Sequence, residues 1–143
     1  MIVEGVEYPI RMKPRWVNPL PWIGSKTCQA FFGKIWVPHW VYEDLQTAHP
    51  TPWSIAIVLH EQEHLKEYKK HGPNKHFLLY VFSRTFRLQA ELIACKPQMA
   101  YLKSKGIEFH FDVKARALSG WLYVWCTDYE NANTLLRECW DVI

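Results

Sequence analysis

The stretch between Pro52 and Pro73 leaves the chain the least choice of structure. Thr51-Pro52 suits the start of a helix, because proline already holds the φ of a first turn and lacks only a hydrogen that goes unused there. His71-Gly72-Pro73-Asn74 suits an end, with glycine just past the last turn and proline after it. Between these marks Ile55, Ala56, Val58 and Leu59 are apolar nearly all round, whereas Lys66, Glu67, Lys69 and Lys70 are charged. The pattern predicts a helix half sunk in a core with its far end in water. Its middle reads His60-Glu61-Gln62-Glu63-His64. Two histidines four residues apart on a helix stand one above the other, and imidazoles so placed can share one zinc ion. Glu61 stands one residue round, within reach of a water held by that ion.

At 143 residues the chain fits one domain with its own core. That domain, 1–143, divides into a strand-rich part (1–52) and a helical part (53–143). Apolar residues at 49% and charged residues at 22% describe a globular protein, neither disordered nor membrane-spanning. The net charge of +3 is spread along the chain, so no nucleic-acid partner is indicated. Eight Trp, seven Tyr and seven Phe call for a core of large rings or an aromatic-lined groove. Cys28, Cys95, Cys126 and Cys139 form no C-x-x-C pair, which argues against a zinc ribbon and for plain core thiols. Residues 1–12 carry Glu4 and Glu7 and no signal-peptide core, and no apolar run reaches spanning length. The expectation is a cytoplasmic protein with reduced thiols and no membrane partner.

Residues 2–12 alternate around Gly5 and predict a strand or short hairpin. Pro14, Pro19 and Pro21 make 13–26 irregular, with Trp16 and Trp22 expected to pin it to the body. Thr27–Val37 is the best strand, with Gly33 a bulge or a turn into a second strand. Pro38 stops it, and His39–Gln46 allows one or two helical turns. A second long helix is expected from Lys75 to Cys95. The run Phe77 to Phe82 is so continuously apolar that this helix should be central, and Pro97 should kink or restart it. Gly106 closes the next piece. Val113, Ala117, Trp121 and Trp125 at spacing four predict a third helix over Asp112–Trp125. Thr127 to Glu130 fits a capping box for a fourth, with Ala132, Leu135, Leu136, Cys139 and Trp140 on one stripe. Strands first and helices after make the class α+β.

A catalytic zinc needs three protein ligands and one open position. A metzincin continuation fails, because Glu67 and Lys70 stand where glycine and histidine are required. His71 lies roughly 10 Å further along the helix axis from His64 and reaches the site only if the helix breaks early. Glu67 shares the histidine face but borders solvent. Glu91 is the better third ligand, because a carboxylate in its apolar segment is costly unless paired or bound to metal. Arg87 or Arg84 could equally be its partner. Glu61-x-x-His64 is also half of a di-iron motif, but Ala94 and Phe111 stand where a second histidine would be needed.

Over roughly Ala30 to Ala94 this layout resembles the compact gluzincin zinc peptidases, carried by His60, Glu61, His64 and Glu91. The resemblance implies a strand, the motif helix, then a second helix bearing the glutamate ligand. It further implies Zn2+ as cofactor, Glu61 as general base and a peptide or protein as substrate. The oxyanion donor stays open among Tyr68, Tyr80, His76 and His110. The strand Phe32–Val37 would bind an extended peptide along its edge, with Phe31, Phe32 and Trp36 shaping apolar subsites. The alternative is a non-catalytic zincin-like binding or structural module, with or without zinc.

Overall fold

Two tight turns shape the N-terminal strands. The computed structural model describes residues 1–17 and 27–143. Strands β1 (Ile2–Val3) and β2 (Val6–Glu7) pair antiparallel around Glu4-Gly5. Strands β3 (Ile10–Met12), β4 (Gln29–Phe31) and β5 (Lys34–Val37) form a second sheet in the order β3-β5-β4. Here β5 runs parallel to β3 and antiparallel to β4. Phe32 and Gly33 both hold positive φ, 49° and 69°, which is the backbone of a two-residue hairpin turn whose twist matches its strands. Gly33 is therefore the turn and not a bulge. The strand Phe32–Val37 is also not an edge: its ordered part, β5, is hydrogen-bonded on both sides. Peptide addition along it is ruled out.

Arg15–Val17 forms one 3-10 turn that buries Val17 and leaves Trp16 exposed, so Trp16 is not sunk into the body as expected. The rest of the irregular stretch, with Trp22, lies outside the described residues.

Six α-helices follow among the described residues: α1 (His39–Leu45), α2 (Pro52–His71), α3 (Pro73–Phe82), α4 (Arg84–Ser104), α5 (Phe111–Leu118) and α6 (Tyr129–Asp141). The fold is thus mixed α+β. Helix α2 lies between two apolar cores. Ile55, Val58 and Leu65 join Ile10, Ile35, Val37, Val41 and Leu45 under the sheet. Ala56 joins Cys95, Met99, Leu102, Leu118 and Leu136 among the helices. Its most extensive partner is α4. The apolar first half of α2 reflects this double burial.

The boundaries depart from the sequence reading in four places. The helix expected over Lys75–Cys95 is two helices, because Ser83 turns extended and its hydroxyl caps the backbone N–H of Phe86 at 3.2 Å. The first of them, α3, is not central: Phe77, Leu78, Val81 and Phe82 are exposed. Pro97 does not restart the helix, and α4 runs through it. The third helix ends at Leu118. Its buried stripe is Phe111, Ala115 and Leu118, while Val113 faces water. At Gly120 a Cβ would meet the carbonyl of Arg116 at 2.9 Å, and the chain folds back so that Cys126 N–H bonds Leu118 O. The last cap is Asp128, whose carboxylate accepts the N–H of Asn131 at 2.8 Å, one residue beyond the expected Thr127.

Entry into α2 is the best-fastened of these ends. The Asp44 carboxylate accepts both the N–H and the hydroxyl of Thr51, at 3.0 and 2.8 Å, and Thr51 caps Ser54. Thr51→Ala should therefore lower unfolding stability by about 1 kcal/mol, read from the shift of a urea midpoint at unchanged slope. An unchanged midpoint would mean that the cap does not hold the motif helix in place.

Candidate metal centre

Helical spacing aligns His60 and His64 on the face of α2 that looks toward α4, where Glu91 occupies a fully enclosed position, 1% exposed. The two histidine Nε2 atoms stand 3.2 Å apart. Nε2 of His64 is 3.2 Å from Glu91 Oε1, and Nε2 of His60 is 3.5 Å from Oε2. A tetrahedral ion with bonds of about 2.0–2.1 Å holds its donors about 3.3 Å apart. The histidine pair fits that size; the two edges to Glu91 end on different oxygens, and one donor atom from each of the three residues lies within 4.8 Å of the others. The three expected ligands are thus brought together and can hold a metal ion.

His71 is not among them. Helix α2 stays helical to its end, and His71 Nε2 lies 3.2 Å from Glu67, whose other oxygen faces Lys70. The arginines are not the partners of Glu91 either. Arg87 is buried, but its guanidinium donates to the carbonyls of Tyr80, Val81 and Tyr123. The cation at Glu91 is Lys114 of α5, with Nζ 2.8 Å from Oε2 and 3.2 Å from the Tyr123 hydroxyl. The Tyr80 hydroxyl of α3 donates to Oε1 at 2.7 Å. Each oxygen of Glu91 therefore has its own donor and its own histidine.

Sequence reasoning missed Lys114, although a signal existed. Lys114 falls on the buried stripe Phe111, Ala115 and Leu118 of α5, and a lysine at a core position needs a buried partner. Lys13 was missed as well. It is buried beside β3, donates to the Thr27 carbonyl at 2.5 Å, and its charge acts on Cys28 and Glu61.

The electrostatics follow from this packing. Burial disfavours the Glu91 carboxylate, but Lys114, His64 and the hydrogen bonds from both histidines outweigh it and hold Glu91 well below the usual range. Burial and the charge of Lys114 push His60 down to about 4. His64 is buried too, yet the charge and hydrogen bond of Glu91 raise it. Burial lifts Glu61 to about 6, reinforced by Glu91 and opposed by His64. Without a metal, then, a proton is held more readily on His64 than on His60.

Of the four open donors, Tyr80 spends its hydroxyl on Glu91, and His110 stacks on Trp53 at 4.3 Å. Tyr68 meets the ring of His76 edge-on at 5.6 Å. His76 is buried against Tyr80, and its Nδ1 has no hydrogen-bond partner among the described residues. No protein-family model, curated protein or solved structure matches this chain.

Two outcomes follow. Purified without chelator or histidine tag, the protein should carry about one zinc per chain, by analogy with three-ligand sites, and lose it in both His64→Ala and Glu91→Ala. Retention in Glu91→Ala would remove Glu91 from the ligand set. Lys114→Met should destabilise the metal-free protein by about 3 kcal/mol, because Glu91 loses its buried counter-charge. Zinc should restore part of that loss in a chemical denaturation series. An equal loss with and without zinc would show that Lys114 packs rather than neutralises.

Proposed function

We propose that the chain is a zinc-dependent peptidase of gluzincin type, in which His60, His64 and Glu91 hold the metal and Glu61 is the general base. The observation that carries this reading is Glu61 itself. A site that only staples a fold needs donors and nothing else. Here a second carboxyl, 7% exposed, is buried one residue from a ligand, a costly arrangement unless the group has a task.

A bound zinc would supply a Lewis acid for the scissile carbonyl and a water of lowered pKa. Everything else falls to side chains. Glu61 takes the proton of the attacking water on a carboxylate oxygen and returns it to the leaving amine nitrogen. In the metal-free protein burial lifts its pKa to about 6, so it is ionised near neutrality. Lys114 and Tyr80 fix both oxygens of Glu91, which sets the orientation of the ligand. An extended peptide or protein segment would add to β4, the strand that ends the sheet and packs on α2.

One observation favours a second reading, a non-catalytic zincin-like module. Lys114 and Tyr80 already satisfy Glu91, so the cluster is a tolerable buried network even without an ion. A peptide library read by mass spectrometry separates the two. The zinc-loaded protein should cleave, and Glu61→Gln should cleave about 10²- to 10⁴-fold more slowly at unchanged zinc content. Equal cleavage by the variant would unseat Glu61 as the base. An inert, fully zinc-loaded wild type would favour the module.

A further inference from the structure

Helix α3 is built inside out. Its polar ring residues face the protein: His76 is buried against Tyr68 and Tyr80, and Tyr80 reaches Glu91. Its outer face carries Phe77, Leu78, Val81 and Phe82, exposed by 54%, 54%, 44% and 79%. At 100° per residue these four side chains fall within one sector of about 140°. They form one continuous apolar face and not scattered surface residues.

A second apolar element adjoins it. Arg87 ties the carbonyl of Tyr123 to those of Tyr80 and Val81, which holds the loop after Tyr123 against the end of α3. In that loop Val124 and Trp125 both take positive φ, 53° and 47°, and both are exposed. A β-branched residue is rarely found there, and the backbone does it at the point where Trp125 is turned to the surface. Trp125 and Arg84, the first residue after the α3 break, line one groove.

Along α3 and its flanks the charge has one sign, and Asp128 is the acidic residue in the groove beside Trp125. From Tyr68 to Ala90 the chain carries Lys69, Lys70, Lys75, Arg84 and Arg87 and no acidic residue. All but Arg87 are exposed, and they bracket α3 at both ends. Apolar side chains flanked by cations, with a tryptophan beside them, match the boundary of an anionic lipid bilayer: hydrocarbon beneath, anionic headgroups around. Among the described residues no helix is long and apolar enough to cross a membrane, and α3, at ten residues, would lie along the surface. We propose that the outer face of α3, together with Val124 and Trp125, docks this protein on anionic membranes. This inference stands apart from the metal chemistry, because the face is opposite the side of α3 that reaches Glu91.

The test is flotation with phosphatidylcholine vesicles, with and without phosphatidylserine. Wild-type protein should float with the serine-lipid vesicles and bind at least about tenfold less to phosphatidylcholine alone or at high salt. Phe77→Ser combined with Phe82→Ser should abolish flotation while keeping the wild-type circular dichroism spectrum and zinc content. Lys69→Glu with Lys75→Glu should abolish it as well. No flotation of the wild type, or undiminished flotation of the serine variant, overturns the proposal. So does a concentration-dependent dimer that the serine variant breaks, which would assign the face to a second copy of the chain.

Discussion

The carboxylate of Glu91 is the constraint around which the helices are arranged. An unpaired charge in a protein interior costs several kcal/mol even after relaxation. Glu91 is fully enclosed, so its surroundings must supply compensation from several directions at once. Helix α2 contributes His60 and His64, α3 contributes the Tyr80 hydroxyl and α5 contributes Lys114. Four of the six helices therefore meet at one side chain. Arg87, one turn before Glu91, fastens the backbone at the end of α3 to that beyond α5. The site and the helical packing are a single network, and a metal ion would join it as one more positive charge at its centre.

That network explains an arrangement which otherwise runs against the hydrophobic effect. In α3 the Tyr80 ring that serves Glu91 must face inward, with His76 stacked beside it, so the aliphatic and phenyl side chains of the same ten residues are left outside. Burying Tyr80 and His76 commits Phe77, Leu78, Val81 and Phe82 to the surface, because a helix cannot turn both faces toward one core. An apolar surface so produced needs a cover of its own.

The parts of this architecture that rest on local rules were legible in the sequence. Thr51-Pro52 and Gly72-Pro73 bound α2 as their chemistry requires, and Gly33 supplied a hairpin turn. Histidines at spacing four and a glutamate in an apolar helix came together because helical periodicity and the cost of a buried charge are both local arguments. What failed depended on partners distant in the chain. The run Phe77–Phe82 reads as core by composition, and only its contacts reveal that polar rings took the inner face. Ser83 as a cap lost to the apolar continuity around it, and Trp121 and Trp125 imitated a helical stripe that Gly120 breaks. Lys114 lies 23 residues from Glu91, beyond the reach of any pattern confined to one helix.

X-ray absorption at the zinc edge, on protein loaded with one equivalent of zinc, tests the metal centre most directly. Two imidazole nitrogens at about 2.0–2.1 Å and a carboxylate oxygen at about 2.0–2.2 Å, with no sulfur bound to the ion, are the result expected from His60, His64 and Glu91. A sulfur at about 2.3 Å, which would bring in a cysteine such as Cys28, would contradict the account. So would zinc that stays in free aqueous form.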